Sequence, residues 1–188
     1  MCVEDPSLAA GFNKLIVWDF ETDEGWTFDN SGTDCGWSVT DAPGVAQSGT
    51  KGLYYGNVAT LDYACGLNSG TAVSPFVELP AGAFSLRFAI YLSVEDTPAY
   101  DQIRVSWLTT STAPQVVWQK TNHPQGEFLT IEAELPTSTT GQPGQVEIVF
   151  DTIDGSANAT LGVVIDDVAI GESGCPGEPT DGGLTEVP

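Results

Sequence analysis

Basic side chains are scarce in this chain. Its 188 residues hold 5 Lys and Arg together against 26 Asp and Glu, a formal charge of −21, and one histidine. Phosphate recognition needs clustered Lys and Arg, so nucleic acid is a poor partner, and an anionic membrane surface is disfavoured for the same reason. No apolar run is long enough to span a bilayer, which excludes membrane insertion by a helix. Met1 is followed at once by Cys2, with no intact signal peptide. The excess of carboxylates suits a solvated acidic surface or divalent cations.

Catalytic and metal motifs are lacking as well. Cys2, Cys35, Cys65 and Cys175 form no C-x-x-C pair, and His123 is the only histidine, so a zinc site is poorly supported. A Ser or Cys nucleophile would need His123 as its base, yet "TNHPQGEF" reads as a Pro-Gly turn between strands. No Gly-x-x-x-x-Gly-Lys phosphate loop is present, and no carboxylate pair is singled out for glycoside cleavage. The expectation is a protein without catalytic activity. "NAT" (Asn158 to Thr160) is a glycosylation sequon of the kind that arises by chance.

Helical periodicity is nearly absent. Short strand-like runs recur instead between turns rich in Gly and Pro. They are residues 14–21, 36–40, 51–57, 70–79, 84–94, 101–110, 115–120, 128–135, 144–152 and 162–170. In "FSLRFAIYL", Phe84, Leu86, Phe88, Ile90 and Leu92 share one face. About ten short strands with almost no helix predict an all-β, antiparallel jelly-roll β-sandwich. The folded domain is expected over 12–172. Residues 1–11 form an N-terminal extension, and 173–188, rich in Pro, Gly and acids, have the composition of a linker. The domain is therefore expected to belong to a longer chain.

"GVVIDDVAIG" (Gly162 to Gly171) places Asp166 and Asp167 side by side in an apolar strand. Strict alternation would send the two carboxylates to opposite faces, and a buried unpaired carboxylate is costly. Two further polar groups are read as structural, since Asx-rich loops satisfy their own backbone: Glu95, Asp101 and Arg104 at a strand start, and Asp151, Asp154 and Asn158 in one loop. Trp26, Trp37, Tyr54, Tyr55, Trp107 and Trp118 could supply a sugar-stacking platform or build the core. The adjacent tyrosines should split, one in and one out.

The motifs "WDFETDEGW", "DCGWSV", "SGTKGLYYGN", "NSGTAVSPFVELP", "LRFAIYLSVEDTPAYDQIRVSW" and "VEIVFDTIDGSANATLGVVIDDVAIG" fall in an order that resembles the MAM-like jelly-roll domains of secreted and cell-surface proteins, bacterial members above all. The matching residues are Asp19-Phe20-Glu21, Cys35-Gly36-Trp37, Ser74-Pro75, Leu86-Arg87-Phe88 and Ile165-Asp166-Asp167, within about residues 15 to 172. Trp18 and Ser85 stand where the MAM pattern has cysteines, so its disulfide scheme does not carry over.

The resemblance implies a non-catalytic extracellular or cell-surface module for binding or adhesion, with a protein or glycan ligand. The alternative is a carbohydrate-binding module attached to a secreted hydrolase. In such folds the first and last strands lie side by side. Related carbohydrate-binding jelly rolls carry a structural calcium there, and by analogy its ligands would be Asp19, Glu21, the Lys51-Gly52 backbone and Asp166 or Asp167. The competing solution is that one Asp accepts backbone N–H bonds while the other faces water. Four cysteines allow three pairings. Their positions favour Cys35–Cys65, between neighbouring segments, and Cys2–Cys175, closing the ends, with lipidation or a free thiol as the rival for Cys2.

Overall fold

The computed structural model describes residues 12–137 and 141–173. Twelve strands form two antiparallel sheets: β1 (Phe12–Trp18), β2 (Thr27–Asn30), β3 (Gly36–Thr40), β4 (Gly52–Gly56), β5 (Ser69–Val73), β6 (Val77–Glu78), β7 (Ser85–Ser93), β8 (Gln102–Thr109), β9 (Gln115–Gln119), β10 (Phe128–Glu134), β11 (Pro143–Asp151) and β12 (Gly162–Ser173). One six-stranded sheet runs β10-β7-β12-β4-β3, with β1 also on β12. The other runs β2-β5-β11-β8-β9, with β6 on β11. No α-helix occurs among the described residues, and the architecture is the expected β-sandwich.

The apolar alternation seen in the sequence fills the space between the sheets. Phe84, Leu86, Phe88, Ile90 and Leu92 are all buried in one cluster with Trp37, Tyr55, Trp107, Phe150 and the inward residues of β12. Tyr54 and Tyr55 do take opposite faces, but both are fully buried. Tyr55 joins the main core, while Tyr54 packs with Val45 and Val164 in a second cluster. The outer face of this sheet is thus roofed by the loop between β3 and β4, which carries Val45.

Several boundaries differ from the sequence reading. β2, "TFDN", was not among the expected strands: all four of its residues are exposed, so it has no apolar face to announce it. The run over 70–79 is two strands, because Ser74-Pro75 interrupts the ladder where proline has no N–H to give. The first strand ends at Trp18 rather than Glu21, since Phe20 takes a left-handed φ of 58°. Ser173 belongs to β12 rather than to the tail. The expectations for residues 1–11, the rest of the tail, and the Cys2–Cys175 pair lie outside the described residues.

β12 positions the site. β7 pairs with it along nearly its whole length on one side. On the other side β4 pairs with Val163–Ile165 and β1 with Val168–Ser173. The seam between β4 and β1 falls at Asp166 and Asp167, where the ladder with β7 shifts register and Asp167 has a φ of 50°. Val163, Ile165, Val168 and Ile170 all reach the main core. The spacing of three from Ile165 to Val168 marks a bulge with one extra residue. Strict alternation therefore fails here, and both carboxylates reach the β3–β4 loop, Asp166 at the Gln47 and Ser48 amides and Asp167 at the Ser48 hydroxyl.

Candidate functional site

Asp166 is wholly buried, beneath the β3–β4 loop. Its Oδ2 accepts the N–H of Gln47 (2.7 Å) and of Ser48 (3.0 Å), and its Oδ1 accepts the N–H of Asp167 (2.8 Å). Asp167 is half-buried and accepts the Ser48 hydroxyl at 2.8 Å. Farther along the same loop, Glu21 Oε1 accepts the N–H of Thr50 and of Lys51, each at 2.7 Å, and Oε2 accepts the Thr50 hydroxyl at 2.8 Å. Lys51 Nζ returns a bond to the Glu21 carbonyl at 3.1 Å. Two carboxylates thus hold one loop at two places, one from the segment after β1 and one from β12.

The two acids respond differently to these surroundings. The amides of Lys51 and Thr50 hold the Glu21 carboxyl below its ordinary value. Burial pushes Asp166 up, and its amide partners only partly offset that.

Calcium takes oxygen ligands, whereas residues 47–51 turn N–H groups towards these carboxylates. Asp19 is engaged elsewhere: its Oδ1 accepts the Glu21 N–H at 3.1 Å. Gly52 is needed for another reason, since a Cβ there would run into the Val45 carbonyl. Among the described residues, no three His, Cys, Asp or Glu side chains are grouped to hold a metal.

Beside this clamp lies a groove of about 580 Å³, lined by Phe20, Thr22–Glu24, Trp26, Phe28, Ser38–Asp41 and Lys51. It opens where β2, the edge of one sheet, faces β3, the edge of the other. Glu24 shapes its end wall by accepting the N–H groups of Asp19 (3.0 Å) and Phe20 (3.1 Å). Burial raises the Glu24 carboxyl above its ordinary value. Trp26 lies in the wall, its ring 5.6 Å from Trp18 and 5.5 Å from Phe20. Trp26 is 8% exposed, and its indole N–H has no partner; nor has the Ser38 hydroxyl. Phe28 and Val39 present apolar surface at 38% and 37% exposure.

Of the six aromatics considered as a platform, Trp26, Trp37, Tyr54, Tyr55 and Trp107 are buried, and Trp118 packs on Phe88 and His123. They build the fold instead of a sugar-stacking row. Phe28, which sequence reasoning missed, is the exposed aromatic among the described residues of the groove lining; it sits in the strand without an apolar pattern.

Cys35 and Cys65 are joined in a disulfide with Cα atoms 5.9 Å apart, tying the loop before β3 to the loop after β4. Asp101 is fully buried; its Oδ2 accepts the Tyr63 hydroxyl at 2.5 Å and the Glu95 N–H at 2.8 Å. Lys120 lies nearby, its ammonium donating to the carbonyls of Glu95 (2.5 Å) and Tyr100 (2.9 Å). Arg104, by contrast, is exposed on β8. Asp151 and Asp154 accept the N–H groups of Ile153 (2.9 Å) and Ser156 (2.8 Å), as Asx turns do. Asn158 of the sequon is buried and donates to the Gly66 carbonyl, so the folded chain offers it poorly to a glycosyltransferase.

No protein-family model and no curated protein matches the chain. Solved structures do. A cleaved adhesin domain (K1) of Lys-gingipain from Porphyromonas gingivalis superposes with a TM-score of 0.56 at 15% identity, covering 85% of this chain and 98% of that one. The C-terminal family 22 carbohydrate-binding module of Clostridium thermocellum Xyn10B gives 0.53 at 12% identity, covering 86% and 95%. The CBM22-1–GH10 modules of Xyn10B from the same organism, complexed with xylohexaose, give 0.53 at 18% identity, covering 86% and 29%. At these identities the likeness establishes the fold: a β-sandwich of the type found in adhesin domains and carbohydrate-binding modules.

Proposed function

We propose that this chain is a non-catalytic glycan-binding module of an extracellular or cell-surface protein, and that the groove between β2 and β3 is its ligand seat. The observation that carries this reading is that one groove is lined by a partly exposed Phe28 together with Trp26 and Ser38, whose buried indole N–H and hydroxyl have no protein partner. Aromatic and aliphatic surface suits the C–H face of a sugar, and uncommitted donors suit its oxygens. The carbohydrate-binding neighbours support the same reading by fold analogy. A disulfide and an acidic chain fit an oxidising, extracellular setting. His123 packs at a tilt against Trp118 and accepts the Thr121 N–H at Nδ1, which favours a structural role over that of a base.

Adhesion to a protein partner is the second reading. The MAM-like motif order and the adhesin-domain neighbour favour it.

Affinity electrophoresis in gels containing xylan, mixed-linkage β-glucan or chitosan separates the two. Retardation by at least one polysaccharide, lost in Phe28→Ala and kept in Val58→Ala at the other end of the sandwich, supports the glycan reading. Retardation by none, or equal retardation of both variants, overturns the groove as the seat.

A further inference from the structure

We propose that the groove selects its glycan by charge, taking amine-bearing chains ahead of neutral ones and refusing chains of uronic acid. The inference rests on the glycan reading above and adds the chemical class of the ligand.

The carboxylates at the groove are unevenly engaged. Both oxygens of Glu24 accept backbone N–H groups. Asp23 gives one oxygen to the Gly25 N–H at 3.0 Å, which leaves the other for a ligand. Asp41 stands exposed at the end of β3, on the lining. Among the described residues the one cationic group on the lining is Lys51, and its ammonium is held against the Glu21 carbonyl, beneath the clamp. A ligand lying in the groove therefore meets negative charge with no free ammonium opposite it.

Acidity alone would not make this a binding site. The independent observation is Trp26, a residue of the groove lining that is more than nine-tenths buried and whose indole N–H has no partner. A buried donor without an acceptor costs free energy that an incoming oxygen can recover. A saccharide brings such oxygens, and an amine on the same sugar can reach the carboxylates at the rim. A carboxylate on the sugar would meet Asp23 and Asp41 and be repelled.

Three oligosaccharides with one backbone test this: a β-1,4-glucan, a β-1,4-linked glucosamine chain and a β-1,4-glucuronan of matched length. Calorimetric titration is run at mildly acidic pH, where amines are protonated and ordinary carboxylates ionised. The expected order is glucosamine chain, then glucan, with the first about tenfold tighter at low salt, and no measurable binding of the glucuronan. The tenfold advantage should shrink at high ionic strength, because exposed charges are screened. In Asp23→Asn/Asp41→Asn the preference for the amine should disappear and the glucuronan should begin to bind; Asp34→Asn, at the opposite end of the sandwich, should behave as wild type. Glucuronan binding as tight as glucan binding overturns charge selection and leaves the glycan reading standing. So does a ranking unchanged in the double variant. Failure of all three chains to bind, in a protein whose melting is intact, overturns the glycan reading and this inference with it.

Discussion

The Asn30 side chain closes the edge of β3 at Trp37: its Oδ1 accepts the Trp37 N–H at 2.8 Å and its Nδ2 donates to the Trp37 carbonyl at 3.3 Å. One side-chain amide thus stands in for a neighbouring strand and fastens the edge of one sheet to the edge of the other. Gly36 and Gly70 make the room, since a Cβ at either would collide with the Asn30 amide. Two residues farther on, the same edge of β3 carries Val39 and borders the groove. Asn30→Ala should cost about 1–2 kcal/mol in urea denaturation, the net worth of two such bonds, and should promote edge-to-edge association in light scattering. Gly36→Ala should reproduce the loss by evicting Asn30. Unchanged stability in both would remove the amide plug from the account.

Asp166 offers a sharper case. Alanine there leaves the Gln47, Ser48 and Asp167 amides without their charged acceptor. The expected cost is about 3 kcal/mol, because bonds to charged groups are the strong ones. Asn keeps one accepting oxygen and should lose roughly half of that. Asp167→Asn, which touches only the Ser48 hydroxyl, should cost under about 0.5 kcal/mol. Because the loop turns N–H groups towards these acids, wild-type melting should be the same in calcium and in chelator. A calcium-dependent rise that vanishes in Glu21→Gln would instead assign these carboxylates to a metal.

How far this was legible depended on which surface each residue faced. Alternation in β7 announced a core-facing strand, and every apolar residue from Phe84 to Leu92 in that series is buried. β2 carries no such signal because it is ordered by pairing with β5, not by burial. The acids after β1 and in β12 were readable as partners of the β3–β4 loop, but their ligands were not. Whether a loop offers C=O or N–H is decided by its backbone dihedrals. The bulge was readable in principle, since core residues at 163, 165, 168 and 170 break the period of two. The groove was not, because it forms where the edges of two sheets meet and no local pattern encodes that meeting.

Trp26→Phe separates binding from folding. The ring contacts with Trp18 and Phe20 can persist, and the deleted N–H had no partner. The cost should stay below about 1.5 kcal/mol, as for a swap that conserves most of the volume. Retardation by the polysaccharide that wild type binds should weaken by far more than that stability change implies. Equal retardation would show that the indole N–H never meets a ligand.

The disulfide should matter to stability and little to the groove. Cys35 and Cys65 are 30 residues apart in sequence, and closing a loop of that size contributes about 3–4 kcal/mol in the chain-entropy view. Cys35→Ser/Cys65→Ser should lower the urea midpoint accordingly, while glycan retardation under native conditions is retained. Loss of retardation in a variant that still folds would tie the far end of the sandwich to the ligand seat.

Acid should at first stabilise this protein. Asp101 faces Tyr63, Glu95, Lys120 and Asp154, and burial raises its carboxyl above the ordinary value, ahead of the Tyr63 and Glu95 bonds that lower it. Asp166 is raised by burial in the same way. A carboxyl raised in the folded state binds its proton more readily folded than unfolded. Its contribution is therefore fully present below the unfolded value, about 3.9 for Asp, and is lost as pH rises through the folded value. Glu21 has the opposite sign: held low by the Lys51 and Thr50 amides, it contributes above its unfolded value of about 4.3, and that contribution is lost as pH falls through its folded value. Urea midpoints should accordingly climb as pH falls towards the ordinary carboxylate range and turn down only below it. Asp101→Asn removes one of the raised groups while keeping an acceptor for the Tyr63 hydroxyl, so it should flatten the climb and leave the acid downturn in place. Glu21→Gln should do the reverse. A wild-type midpoint that falls steadily as pH drops from neutrality into the ordinary carboxylate range would mean that these buried carboxyls are stabilised as anions, and that burial does not govern their titration.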